Sequence, residues 1–193
     1  MTLLEQLQAA AENARKGLPA ALTIDADGVQ YTRNFMPQER LILLGGGTIA
    51  QPLCRYAADL GFELVVADDR PSFANHPRVP EAKQIVCDLF PAAIEKIGIR
   101  ESDYVAVITR GHRYDADCLR ELLRGIMPRY LGMIGSKRRT VGLLNMLEEE
   151  GFSRADLDRI HTPIGLDIGA LTVTEIAISI VAELIAERRR TTD

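Results

Sequence analysis

Residues 41–69 constrain this chain more than any other stretch. They read Leu-Ile-Leu-Leu, then Gly45-Gly46-Gly47-Thr48-Ile49-Ala50, then an amphipathic run to Gly61, then Phe-Glu-Leu-Val-Val-Ala ending at Asp68 and Asp69. A buried strand, a G-x-G-x-x-A turn, a helix, a second buried strand and an acid about 20 residues past the glycines form the dinucleotide-binding pattern. Each position has a physical job. Gly45 permits the tight turn, Gly47 lets backbone approach a pyrophosphate, and Ala50 lets the helix pack closely on the strand. The helix amino terminus turns its partial positive charge toward the phosphates, and the amide of Thr48 is an expected donor there. Asp68 is the expected ribose ligand, with Asp69 as the alternative. Arg70 beside them can favour a 2′-phosphate, so NAD and NADP fit equally. A glycine triplet alone would suit an ordinary turn; the strands, helix and acid in register are what point to a nucleotide or a pterin nucleotide.

From residue 40 onward, apolar runs and amphipathic runs alternate. The strands are expected near 41–45, 63–67, 84–87, 104–109, 130–134 and 160–164. The helices are expected near 48–60, 91–97, 113–124, 137–150 and 173–188. That alternation implies an α/β fold, a doubly wound and mostly parallel Rossmann-like sheet flanked by helices. Before it, an amphipathic helix near 3–14 and two strands around Asp25-Ala26-Asp27-Gly28 predict a short helix-hairpin appendage. Met36-Pro37 breaks the strand pattern, which places domains at 1–38 and 39–193. Near the end, Thr172-Val173-Thr174-Glu175 has the form of a capping box opening a helix with a broad apolar stripe.

Composition removes several function classes. The 193 residues are 47% hydrophobic and 26% charged with net charge −4, so a broad basic face for nucleic acid is not expected. No apolar run approaches the ~20 residues that span a bilayer, and the first residues lack the pattern of a secretory signal. The cysteines Cys54, Cys87 and Cys118 are scattered and show no metal-ligand spacing. No metal ligands are therefore assigned, and a cytoplasmic location is expected.

In an open parallel sheet, ligands bind beyond the carboxyl ends of the strands, near the switch in strand order. Four glycine-rich or charged loops are expected at that edge. They are the glycine turn, Thr109-Arg110-Gly111-His112, Gly135-Ser136-Lys137-Arg138-Arg139, and Gly165-Leu166-Asp167-Ile168-Gly169. His112 and Asp115, three apart at a helix start, can share a face and form an acid/base pair. They equally suit a solvated cap with Asp115 complementing the helix dipole. Ser136, Lys137, Arg138 and Arg139 open another helix, where cations oppose the dipole unless an anionic ligand joins them. Arg110 and Asp167 complete a candidate rim that is expected to converge on one concave site. His161 reads as a hydrogen-bonded core histidine, and His76 as a loop residue.

These motifs resemble the Rossmann domain of the XdhC/CoxI family, accessory factors for xanthine dehydrogenase-type molybdenum hydroxylases. The resemblance begins with residues 41–50 and Val66-Ala67-Asp68-Asp69-Arg70. It strengthens through Tyr104-Val-Ala-Val-Ile-Thr109-Arg-Gly-His112-x-x-Asp115 and Tyr130-Leu-Gly132-Met-Ile-Gly135-Ser136-Lys-Arg-Arg. It continues through Arg159-Ile-His161-Thr-Pro163-Ile-Gly165-Leu-Asp-Ile-Gly169-Ala170 and Glu175-Ile-Ala177-x-Ser179-Ile-x-Ala-Glu183. It implies a bacterial, cytoplasmic protein that binds molybdenum cofactor (molybdopterin) and helps deliver it to an apo molybdenum hydroxylase. A cysteine desulfurase partner and a homodimer are further expectations of the family. Family members commonly carry an amino-terminal domain, where about 38 residues stand here. They often have His at the position of Thr48, so a ligand contact made there would differ.

Two other readings share the fold. One is an NAD(P)-dependent oxidoreductase, which the fold permits without establishing. Little sequence remains beyond the Rossmann core to build a substrate domain for it. The other is a nucleotide-sensing regulatory domain, which the long motifs after the fourth to sixth core strands disfavour. On the accessory-factor reading the protein binds rather than turns over.

Overall fold

The structure is a computed structural model that describes residues 2–15, 18–26, 29–35 and 38–190. It divides into two compact units, Met1–Glu39 and Arg40–Asp193. In the first, helix α1 (Leu3–Arg15) precedes strands β1 (Ala20–Ala26) and β2 (Val29–Phe35). The two strands pair antiparallel with Ala26 opposite Val29, as the hairpin reading required. The expected turn residues Asp27 and Gly28 lie outside the described residues.

The second unit alternates strand and helix. Its strands are β3 (Arg40–Leu44), β4 (Glu63–Asp68), β5 (Gln84–Cys87), β6 (Tyr104–Val107), β7 (Tyr130–Met133) and β8 (Ile160–His161). The helices are α2 (Ala50–Asp59), α3 (Phe90–Ile97), α4 (His112–Arg124), α5 (Lys137–Glu149), α6 (Arg154–Leu157) and α7 (Val173–Arg189). Every pairing is parallel, in the order β5-β4-β3-β6-β7-β8. The order reverses between β3 and β6, so the glycine turn lies at the topological switch point of a Rossmann-like sheet.

The central strands read as unbroken apolar runs because both of their faces are covered. Ile42, Leu44, Val65, Val105 and Val107 pack on one side against α3, α4 and α5. Leu41, Leu43, Leu64, Val66 and Tyr104 pack on the other side against α2 and α7. Two elements depart from the expected pattern. β8 keeps two residues of the expected five, since Pro163 has no amide to extend the ladder, although Ile164 N–H still donates to Met133 O at 2.9 Å. The short α6, capped by the Ser153 hydroxyl accepting from Asp156 N–H, has too few residues to show a periodicity. The capping box at α7 forms as expected, with Glu175 accepting from Thr172 N–H at 2.8 Å.

At the amino edge of the sheet, Arg40 and Asp103 form a buried bidentate pair with Nε–Oδ1 at 2.9 Å and Nη2–Oδ2 at 2.5 Å. It joins the start of β3 to the turn before β6.

Candidate functional site

The site is built around the turn that leaves β3. Gly45 has φ +124°, and a Cβ there would sit 2.5 Å from the Ile108 carbonyl oxygen. Only glycine lets the turn press against the strand across the switch point. Gly46, given no role by sequence reasoning, is boxed in by the Phe73 carbonyl and donates its N–H to Asp68 Oδ2 at 2.9 Å. Gly47 differs from both. Nothing stands within 4 Å of where its Cβ would be, so backbone is bare on an open side. Thr48 is exposed beside it, and α2 begins at Ala50 without a side-chain cap.

The acids that follow β4 divide their labour. Asp68 is 1% exposed. It accepts from Gly46 N–H, Arg70 N–H at 3.0 Å, Arg70 Nε at 2.9 Å and Arg70 Nη2 at 3.0 Å. The expected ribose contact therefore meets a carboxylate with no open surface; Asp68 pins the glycine turn instead. The connection that follows covers this turn. The guanidiniums of Arg70 and Arg78 both lie over the Phe73 ring, at 3.6 and 4.6 Å from its centroid, and Arg78 Nε donates to Gly46 O at 2.7 Å. Asp69 reaches sideways to Arg110, accepting from Nη1 at 2.6 Å and Nη2 at 2.9 Å. Since β3 lies between β4 and β6, this pair spans the carboxyl end of β3. Arg110 also donates to the Tyr114 hydroxyl and stacks 4.4 Å from its ring centroid. Hydrogen bonding from Arg110 holds the Asp69 carboxyl below its ordinary range, and the same bonds raise Arg110.

After β6, Asp115 is buried and accepts from the Thr109 hydroxyl at 2.5 Å. That bond ties the first turn of α4 back to the loop. His112 is the first residue of α4, and its side chain lies outside the described residues, so the expected pairing with Asp115 is not placed.

After β7, the Ser136 hydroxyl makes no capping bond, and its carbonyl accepts from Thr140 N–H and Oγ1, both at 3.0 Å. Lys137 and Arg138 are exposed and make no ion pair with any described residue. Arg139 is exposed beside them. The first turn of α5 contains no acid.

After β8, Gly165 has φ +94° and its N–H donates to Glu183 Oε2 at 2.7 Å. Glu183 also accepts from the Tyr130 hydroxyl at 2.5 Å and lies 3.2 Å from His161 Nδ1. Burial pushes the Glu183 carboxyl up, but the bonds from His161, Tyr130 and Gly165 together hold it below the usual glutamate value. Burial, with Glu183 close by, raises the Tyr130 phenol. This carboxylate organises the final loop, a role the sequence shows only as one residue of a helical motif. Asp167 is exposed on the same loop.

The parallel sheet thus carries all four loops on its carboxyl edge. They line more than one depression. Lys137 and Asp167 share a cavity of about 390 Å³ with Ile134, Gly135 and Ser179. Arg138 and Arg139 instead line a groove of about 680 Å³ between α4 and α5. Arg138 and Arg139 thus line a different depression from Lys137 and Asp167, because adjacent residues at a helix start point about 100° apart.

Cys54 and Cys118 are buried and Cys87 is exposed, all as free thiols. Burial raises Cys54 to about 12 and lifts Cys118 well above its ordinary value, so neither is a ready nucleophile. Among the described residues no group of three His, Cys, Asp or Glu could hold a metal ion, and no helix is long and apolar enough to cross a membrane.

Comparison with known proteins places this geometry. The XdhC Rossmann domain family matches residues 41–184. The chain is 31% identical over 160 residues to a Bacillus subtilis (strain 168) protein named as a probable xanthine dehydrogenase subunit, covering 83% of this chain and 46% of that one. It is 28% identical over 155 residues to the molybdenum cofactor insertion chaperone PaoD of Escherichia coli (strain K12), covering 80% and 42%. A crystal structure described as a xanthine dehydrogenase from Bacillus halodurans superposes with TM-score 0.74 at 38% identity, covering 87% of this chain and 48% of that one. The chain spans less than half the length of each of these relatives. The family match runs from the first residues of the glycine-turn strand into α7, through all four rim loops, and the chain belongs to the XdhC family by its Rossmann domain.

Proposed function

We propose that this protein is a maturation factor for xanthine dehydrogenase-type molybdenum hydroxylases, which binds molybdenum cofactor at the carboxyl edge of its sheet and passes it to the apoenzyme in the cytoplasm. The observation that carries the reading is the start of α5. Lys137 and Arg138 sit there exposed and without an ion-pair partner among the described residues, in a first turn that holds no acid. Cations at a helix amino terminus oppose the dipole, and an anion resolves the conflict by meeting amides and ammonium or guanidinium groups together. The cofactor's phosphate is such an anion. The similarity to a protein named a molybdenum cofactor insertion chaperone supports the same reading.

The residues suit the organic part of the cofactor rather than its metal. Among the described residues nothing is grouped to ligate molybdenum, whereas cations and bare backbone are available for phosphate and ring. When bound, the group would supply its molybdenum centre to the client. The chain's own residues hold and orient it: Lys137 and Arg138 engage the anionic end, and Gly47 and the Thr48 amide offer a second phosphate cradle. Asp69, rather than the enclosed Asp68, is left to meet a ribose if the ligand is a nucleotide form. Arg110, His112, Ser136, Arg139 and Asp167 complete the rim.

Titration of the purified protein with isolated cofactor is expected to show saturable binding that weakens with salt, as exposed charge pairs are screened beyond about 8 Å at physiological ionic strength. Lys137→Glu with Arg138→Glu is expected to abolish it while the fold is kept. The loaded protein should raise the activity of a cognate apo-hydroxylase. Oxidation of NAD(P)H with a small carbonyl at an enzymatic rate of about 1–1000 per second would replace this reading with an oxidoreductase.

A further inference from the structure

One groove of the second unit is lined by no residue of the glycine turn. It runs between α4 and α5, with Ala116 and Leu143 in its buried floor and Met146 along its wall. α4 packs more closely on α3 than on α5, which leaves this floor open. Its charge is concentrated at one end. Arg113 and Arg138 stand there, and neither makes an ion pair with any described residue. Both helices begin at that end, and neither amino-terminal cap has a side-chain hydrogen bond. The acid of the first turn of α4, Asp115, is turned inward to Thr109. At the other end Arg120 is neutralised by Asp117 at 3.0 Å and Glu150 at 2.7 Å.

Gly142 is the second, independent observation. It lies inside α5 and lines the groove, where an added Cβ would meet nothing within 4 Å. Glycine is a poor helix residue, and alanine would stabilise the helix without any clash. The chain's own packing does not require it. What glycine provides here is a flat strip of bare backbone beside an apolar floor.

We propose that the groove between α4 and α5 is a binding site for a planar aromatic anion, a ring system carrying a phosphate or similar acidic head. The ring lies on the strip at Gly142 against Ala116, Leu143 and the Met146 thioether, whose sulfur favours aromatic contact. The head meets the guanidiniums of Arg113 and Arg138, which bind such oxyanions through paired hydrogen bonds, in the positive field of two helix starts. The volume of about 680 Å³ falls in the range of small-molecule sites, roughly 300–1,000 Å³. Cations at one end and a neutral apolar remainder fit a ligand with a single acidic head; an acidic helix would need cations along the whole groove. The groove shares Arg138 with the cofactor reading above, whereas Arg113 and Gly142 belong to the groove alone, so variants at those two positions test this proposal separately.

Titration of the full chain with the fluorescent dye anilinonaphthalene sulfonate tests it. One saturable site is expected, weakened by salt. Arg113→Glu and Arg138→Glu should each lower dye affinity about tenfold, the loss of one charge-assisted contact. Gly142→Leu should abolish binding while the melting temperature stays the same or rises. Displacement of the dye by carboxypterin would assign the site to pterins, and failure to displace would assign it to other aromatic anions. Dye affinity unchanged in all three variants overturns the proposal. So does a lower melting temperature in Gly142→Leu, since the glycine would then serve internal packing.

Discussion

Asp103→Ala should be among the most destabilising single changes in this protein, and it should leave the ligand edge untouched. The Asp103 side chain is 1% exposed and the Arg40 side chain 7%. The carboxylate accepts two bonds from Arg40 and one from Arg100 N–H at 2.7 Å. Three charge-assisted bonds at about 1.5–3 kcal/mol each set an upper bound near 5–9 kcal/mol. Arg40 Nη2 keeps the Gly98 carbonyl at 2.8 Å, so the guanidinium is not wholly stripped. The expected loss is that of a buried pair broken from one side, about 3–5 kcal/mol. For a chain of this size that lowers the melting temperature by roughly 6–20 °C, at about 2–4 °C per kcal/mol. Urea unfolding followed by circular dichroism measures it, as a shifted midpoint with an unchanged slope. Arg40→Met with Asp103→Leu should recover much of the loss, because apolar side chains of similar size need no charge partner. A cost below about 1 kcal/mol, or a double variant less stable than Asp103→Ala, would refute the reasoning. Cofactor affinity of the folded variant should match the wild type, since the pair sits at the opposite edge of the sheet.

Asp69→Asn should tighten phosphate-bearing ligands a few-fold at neutral pH, since it frees Arg110 and removes a like charge. Because Asp69 titrates below its ordinary value, the pair is intact above the usual aspartate range and lost as pH falls through the folded pKa, so calorimetry should show the variants converging in acid. Gly47→Val should melt like the wild type yet lose ligand affinity, whereas Gly45→Ala, forced to φ +124° against the Ile108 carbonyl, should cost about 1–3 kcal/mol in urea unfolding. Glu183→Ala should destabilise by about 2–4 kcal/mol by leaving the Tyr130 hydroxyl and Gly165 N–H unpaired. The folded Glu183 pKa is lowered, so its contribution is present above the ordinary glutamate range and fades as pH falls through the folded value; melting curves of wild type and variant should then approach each other.

The strands and helices of the sheet are legible in the chain because they rest on local patterns. Leu41 to Leu44 and Leu64 to Ala67 read as buried strands from unbroken apolar runs, and Thr172 with Glu175 marks the start of α7 by adjacent groups alone. The motifs after β6, β7 and β8 likewise point to the family from the order of residues alone. What the sequence could not say is which partner each charged side chain takes, since partners come from distant segments. Two consecutive aspartates look alike in the chain, yet Asp68 turns inward to the glycine turn and Arg70 while Asp69 crosses β3 to Arg110. Three consecutive basic residues look like one patch, yet Lys137 faces the loop of Asp167 while Arg138 and Arg139 face α4. Glu183 looks like an ordinary helical acid until β7, β8 and the loop at Gly165 are brought to it. Periodicity and turn chemistry act over a few residues and determined the fold; the pairing of charges and the division of the rim into separate depressions arise only when the sheet brings those segments together.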